Sequence, residues 1–132
     1  MIYFVGIHNK EGMLPLDSRT VSGKIIDRVI MELGVECKKL NLFPTECMPI
    51  NYFERCEYVV QFTRNLDKSG TYVLLGRDVQ LWLANRIENS ISVQHPAYAK
   101  RKGNDYVNDF IAVLIKILSA SKMAVTSPPN EA

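Results

Sequence analysis

The sequence predicts one α/β domain, three layers deep, with a four-stranded parallel sheet between helices. Three observations carry this expectation. Short apolar runs alternate with stretches of helical apolar spacing from one end of the chain to the other. One of those runs, residues 71–76, is apolar almost throughout, as strands covered on both faces are. The length of 132 residues suits one domain with a real core and not two.

Each element follows from local pattern. Residues 2–7 form an apolar run, Ile-Tyr-Phe-Val-Gly-Ile, which opens into a polar loop carrying His8, Asn9, Lys10, Glu11, Asp17, Ser18, Arg19 and Thr20. Ile25, Ile26, Val29, Ile30 and Leu33 make one helical stripe, so residues 21–33 read as a helix with Thr20 or Ser22 as N-cap and Gly34 as C-cap. Residues 37–43 read as the second strand, with Leu40 and Leu42 inward and Pro44 stopping it. Residues 49–65 read as a helix that turns Phe53, Cys56, Val59 and Val60 inward. Asp67-Lys68-Ser69-Gly70 is a turn cluster before the third strand. Asp78 opens a helix to about Arg86 with Val79, Leu81, Trp82 and Leu83. Residues 91–94 read as the fourth strand, ending at His95-Pro96, and residues 97–103 as a basic loop. Asn104 or Asp105 caps a last helix with Val107, Phe110, Ile111, Leu114, Ile117 and Leu118 at helical spacing. The domain is expected over residues 1–124, with a flexible tail over 125–132.

Composition narrows the class. An apolar fraction of 47% and a charged fraction of 23% are ordinary for a soluble globular protein. A net charge of +2 permits nucleic-acid binding without arguing for it. Cys37, Cys47 and Cys56 are widely spaced and form no C-x-x-C, which disfavours a zinc ribbon, and three thiols are too few for an iron–sulfur cluster. They read as buried thiols in a reducing compartment. No secretory signal is evident and no apolar run approaches the roughly 20 residues of a membrane span, so a cytoplasmic protein is expected.

In a parallel sheet all strand ends share one rim, and open α/β sheets place their ligands there. That rim would collect His8 and Asn9, Asn41, Gly76-Arg77 and His95. A histidine fixed after a strand can donate a hydrogen bond to a forming anion. Read by itself, His95 is equally a loop histidine without a role. Asn41 offers a carbonyl acceptor and an amide donor, so it can read an edge with an adjacent acceptor and N–H, such as that of uracil. It reads equally as an Asx-turn residue before Pro44. Carboxylates and amides of the first loop suit positioning a water, stabilising an oxocarbenium-like centre, or holding a divalent metal, and spacing does not choose among these. Lys100-Arg101-Lys102 can hold phosphates, and Tyr98 beside it can stack on a base, or the tract is a solvated loop. No G-x-G-x-x-G or G-K-[ST] follows the first strand, which argues against dinucleotide and P-loop sites.

Taken in order, these stretches resemble the uracil-DNA glycosylase superfamily over nearly the whole chain. Val5-Gly6-Ile7-His8-Asn9-Lys10-Glu11-Gly12 looks like its first motif, with forms such as G-Q-D-P-Y, G-I-N-P-G or G-E-A-P-G. Ser22-Gly23-Lys24 and Leu33-Gly34-Val35 look like the helix that follows it. Leu40-Asn41-Leu42-Phe43-Pro44 looks like the base-reading strand, Val73 to Gln80 like an L-L-G-x-x-A-Q strand and turn, and Gln94-His95-Pro96-Ala97 like the H-P-S second motif. The resemblance implies a uracil-DNA glycosylase-like fold and a monomeric enzyme, without metal or cofactor, that hydrolyses the N-glycosidic bond of a base flipped out of DNA. It implies base binding by Asn41, with Phe43 a candidate stacking ring beside Tyr98 and the Met13-Leu14 pair. It implies catalysis by His95 on the departing base, and by Asn9, His8 and Glu11 on water and sugar. Phosphates would rest on Lys100, Arg101 and Ser22. His8 stands where the superfamily often has Asp or Asn, and Ala97 where Ser is usual. These departures motivate an alternative, a non-catalytic nucleic-acid or nucleotide-binding module on the same fold. A flavodoxin-like binder of a phosphorylated ligand is a third option, disfavoured by the long first loop with its two carboxylates.

Overall fold

The structure is a computed structural model that describes residues 1–8, 11–44 and 48–126, with side chains described through residue 120. The strands are β1 (Ile2–His8), β2 (Cys37–Phe43), β3 (Thr71–Leu75) and β4 (Ser90–Val93). The helices are α1 (Val21–Leu33), α2 (Tyr52–Arg64), α3 (Arg77–Leu83), α4 (Pro96–Lys102) and α5 (Asn104–Thr126). All strand pairs are parallel, in the order β2-β1-β3-β4. The α/β class and the parallel four-stranded sheet expected from the alternation are what is observed.

The strand period of two sorts β1 between the faces. Ile2 and Phe4 join Ile26, Val29, Phe110, Leu114 and Leu118 in the cluster under α1 and α5. Val5, with Tyr3 and Ile7 beside it, joins Leu42, Phe43, Val59, Leu74 and Val79 in the cluster under α2 and α3. Helices therefore cover both faces, which makes three layers. Each buried Leu, Val, Ile or Phe contributes about 1.5–3 kcal/mol against the chain entropy that order costs. The chain steps from β1 to β2 on one side, then returns past β1 to β3 and β4. The winding direction reverses between β1 and β3, and such a reversal opens a crevice beyond the carboxyl ends of the strands.

Most boundaries agree with the expected ones, and the caps explain them. Thr20 Oγ1 accepts the Gly23 N–H at 2.9 Å, and Gly34 ends α1 at a φ of 64° with its N–H on the Ile30 carbonyl. Several expectations need correction. The basic tract is helix α4 and not a loop: His95 caps it, Pro96 sits at the first helical position, the cations occupy its last turn and Gly103 stops it at a φ of 114°. Helix α2 starts at Tyr52, because the Asn51 side chain accepts the Phe53 N–H at 2.8 Å. That cap sets a register in which Val59 is buried with Tyr58 and Phe62 beside it, while Phe53 and Val60 face outward. Leu81 and Ile117 also lie outside the core. Helix α5 runs to Thr126, and residues 127–132 lie outside the described set. Cys37 and Cys56 are only partly buried, and burial pushes the Cys37 thiol up; Cys47 is outside the described residues. Among the described residues no helix is long and apolar enough to cross a membrane.

Candidate functional site

A cleft of about 390 Å³ opens at the carboxyl rim on the α1 side of the sheet. Gly6, Ile7 and His8 from the end of β1 line it, together with the first loop through Leu14, Leu16 and Asp17, the start of α1 at Thr20 and Ser22, Asn41 of β2, and His95 with Ala97. His8, Asn41 and His95, expected at the rim from separate stretches, thus meet at one cavity, with Ser22, expected to hold a phosphate, beside them. Asn9 lies outside the described residues.

Two glycines make room for the two central side chains. Gly6 pairs with Asn41 across β1 and β2. A Cβ on Gly6 would lie 2.8 Å from Asn41 Oδ1, so the amide reaches over β1 only because no side chain stands there. Gly76 plays the same part for His95. It ends β3 at a φ of 95°, and a Cβ there would lie 3.2 Å from both Cβ and Cδ2 of the histidine.

His95 is fixed in tautomer as well as place. Its Nδ1 accepts the Ala97 N–H at 3.1 Å as the cap of α4. A ring nitrogen that accepts carries no proton, so the neutral ring holds its hydrogen on Nε2. Burial, and next the Arg101 guanidinium, push the imidazole below its ordinary value against an opposing pull from Asp78. The site therefore has a neutral N–H donor at pH 7. Gln80, quoted in the sequence only as the end of a strand-turn motif, supports it: its Nε2 donates to the Val93 carbonyl at 2.7 Å and the Leu74 carbonyl at 3.3 Å. Those bonds tie α3 to the ends of the two strands that bracket His95.

The first loop is wound around Asp17. Its carboxylate accepts from Arg19 Nε at 2.9 Å, Arg19 Nη2 at 2.8 Å, the Arg19 N–H at 2.9 Å and the Leu14 N–H at 3.1 Å. The Arg19 side chain, then the two backbone donors, hold the carboxyl well below the usual carboxylate range. Arg19 Nη2 also donates to the Gly12 carbonyl at 2.9 Å, and Thr20 Oγ1 to the Asp17 carbonyl at 2.7 Å. Asp17 lines the cleft, yet all this capacity goes to shaping the loop. The loop then docks on α1 at Gly23, where a Cβ would lie 1.9 Å from the Asp17 carbonyl oxygen and 2.4 Å from that of Leu16. Lys39, two residues before Asn41, fastens the far side: its Nζ donates to the Leu16 carbonyl at 2.8 Å and pairs with Asp27.

Other candidates lie elsewhere. Glu11 is exposed and does not line the cleft. Phe43 is fully buried on the opposite face, edge-on to Tyr58 at 5.9 Å and Trp82 at 6.3 Å, so its ring is unavailable to stack on a ligand. Strand alternation alone would put Phe43 on the face of Asn41, two residues earlier, but the end of β2 turns its ring into the same apolar cluster as Leu42. Lys100 and Arg101 are exposed on α4, outside the cleft lining. Lys100 Nζ donates to Asn104 Oδ1 at 3.0 Å, and Arg101 and Lys102 stand 6.0 Å and 5.2 Å from the Tyr98 ring centre. Among the described residues no group of three or more His, Cys, Asp or Glu side chains is placed to hold a metal ion. No protein-family model, curated protein or solved structure matches this chain.

Proposed function

We propose that the protein is a DNA glycosylase of the uracil-DNA glycosylase type, which hydrolyses the N-glycosidic bond of uracil or a related base flipped out of DNA. The observation that carries the proposal is the meeting of Asn41 and His95 at one rim cleft, from strands on opposite sides of the winding reversal. A pair consisting of an amide and a neutral imidazole N–H suits a base that offers a carbonyl beside an N–H and leaves as an anion.

In this scheme the Asn41 amide pairs with the base edge, and the His95 Nε2–H donates to the carbonyl oxygen that gains charge as the bond breaks. The electron pair of the C–N bond leaves with the base. Water adds at the sugar C1′ and the base takes up the released proton, giving free base and an abasic site. In the same scheme His8, which lines the cleft, orients that water. Extrusion of the base needs phosphate contacts to hold the strand, a role for Ser22 at the cleft and for the cations of α4.

The test is release of base from oligonucleotides containing uracil and other modified bases, with EDTA present, read as strand scission at the abasic site after alkali. Wild-type protein is expected to release base, and His95→Ala to be slower by about 10²–10³-fold, the usual effect of removing one preorganised donor. No release from any substrate in the panel defeats the proposal. One observation favours a non-catalytic nucleic-acid-binding module instead: Asp17 is committed to Arg19 and Glu11 is outside the cleft, so neither carboxylate is available to act on sugar or water. That alternative predicts salt-dependent DNA binding, unchanged by His95→Ala, with no base released.

A further inference from the structure

Among the described residues Leu16 is the one non-glycine with a positive φ, 47°. The left-handed region crowds a Cβ against the following carbonyl, and leucine has no polar group to compensate locally. Such strain persists where the surroundings over-determine it, and it concentrates at sites that bind or react. Here the surroundings are explicit. Lys39 Nζ holds the Leu16 carbonyl at 2.8 Å, Gly23 lets that carbonyl approach α1, and the next residue is Asp17 with its four acceptor contacts.

The strained turn determines where the side chain goes. Leu16 Cδ2 and Cγ lie 3.6 Å and 3.8 Å from the point where a Cβ on Gly6 would stand, and Asn41 Oδ1 lies 2.8 Å from that same point. The apolar branch of Leu16 and the amide of Asn41 therefore meet over Gly6, on the wall of the cleft. This juxtaposition bears on a choice the amide cannot make. Uracil presents a carbonyl beside an N–H, and so does hypoxanthine, on a fused double ring. An amide reads both edges alike; only the space around the edge separates them.

We propose that Leu16 is the specificity-determining residue of the cleft, admitting a single-ring base to Asn41 and excluding a double-ring base with the same edge. This rests on the glycosylase reading above, and its test separates the two. Excision is measured as kcat/KM on matched oligonucleotides containing deoxyuridine or deoxyinosine, for wild type, Leu16→Ala and Leu16→Gly. Binding of free uracil and free hypoxanthine is measured in parallel by ligand-observed NMR. Truncation is expected to lower the uracil-to-hypoxanthine ratio by about 10-fold or more, the scale on which a hydrophobic pocket discriminates size. Both variants should shift the ratio alike, although Leu16→Gly relieves the strained φ and should melt above Leu16→Ala. A common shift at two different stabilities distinguishes a size gate from a damaged fold. Variants that excise with the wild-type ratio overturn the gate and leave the glycosylase intact. If the wild type excises nothing yet binds uracil over hypoxanthine, and the variants lose that preference, the gate stands and the hydrolytic reading falls. A wild type with no preference for uracil in excision or binding overturns the gate outright.

Discussion

Replacing Gly23 with alanine tests how the first loop is held. Glycine in a helix is usually a weakness, and alanine there improves helix propensity by up to about 1 kcal/mol. At Gly23 the new Cβ would lie 1.9 Å from one backbone oxygen and 2.4 Å from another, both belonging to the loop. Backbone cannot swing aside as a flexible side chain does, so the loop and the start of α1 must part. Overpacking of this kind costs about 1–3 kcal/mol. Parting also weakens the Thr20 cap, which accepts the Gly23 N–H and is worth about 1 kcal/mol. Set against the gain in propensity, the net loss is about 1–3 kcal/mol, or a fall in Tm of roughly 3–15 °C. Urea denaturation and thermal melting measure it. Gly34→Ala is the control: a Cβ there meets nothing within 4 Å, so only the left-handed φ of 64° opposes it. It should cost about 1 kcal/mol and leave the cleft unchanged. A Gly23→Ala protein as stable as wild type, or more so, would refute the docking of the loop on α1.

Two further outcomes follow from the same geometry. Phe43→Ala should cost about 3–5 kcal/mol in urea denaturation, because the ring is fully buried between Tyr58 and Trp82; the milder Phe43→Leu should leave any base preference as in wild type, whereas a changed preference would return the ring to the cleft. The His95 imidazole should titrate by NMR below the ordinary histidine value, since burial and Arg101 lower it. The unfolded chain then binds the proton more readily than the folded one, so stability contributed by the neutral ring is present above the ordinary value and is lost as pH falls from there through the lowered value. Protonation also removes the acceptor of the Ala97 N–H, so the amide signal of Ala97 should shift in the same window.

Much of the fold was legible because it rests on periodicity. Ile25, Ile26 and Val29 repeat at helical spacing and are buried, and the run from Thr71 to Leu75 is buried at every residue, as a covered parallel strand must be. The rim positions of Asn41 and His95 followed from parallel topology, which puts every strand end on one edge. Where the sequence misled, a cap or a register decided. The cations after His95 read as a loop by their charge, yet His95-Pro96 starts a helix there and Gly103 stops it. Phe53 and Val60 looked inward until Asn51 set the phase of α2. The remaining site residues were illegible for a different reason. Lys39 works through a bond to the Leu16 carbonyl 23 residues back, Asp17 through short-range bonds to Arg19 and Leu14, and Gly23 through the atoms it lacks. None of these leaves a periodic trace.

The glycines indicate what kind of chemistry the cleft can sustain. Gly6 admits the Asn41 amide, Gly76 admits the His95 ring, and Gly23 admits the loop that closes the side. In each case a Cβ is missing where a functional group must lie against backbone, so the donors are positioned by strands and helix starts and need little adjustment on binding. Preorganised donors gain most when aimed at charge that develops during reaction. The only carboxylate among the described cleft-lining residues, Asp17, already meets Arg19 and two backbone N–H groups, and releasing it would unwind the loop that bears Leu16. Under the proposed base release, the described side chains therefore contribute most by stabilising the leaving base. On that balance His95→Ala should lower the rate far more than Glu11→Gln, which removes an exposed carboxylate outside the cleft. A larger effect at Glu11 would place the chemistry on the sugar side and reverse the order of importance argued for the two strand ends.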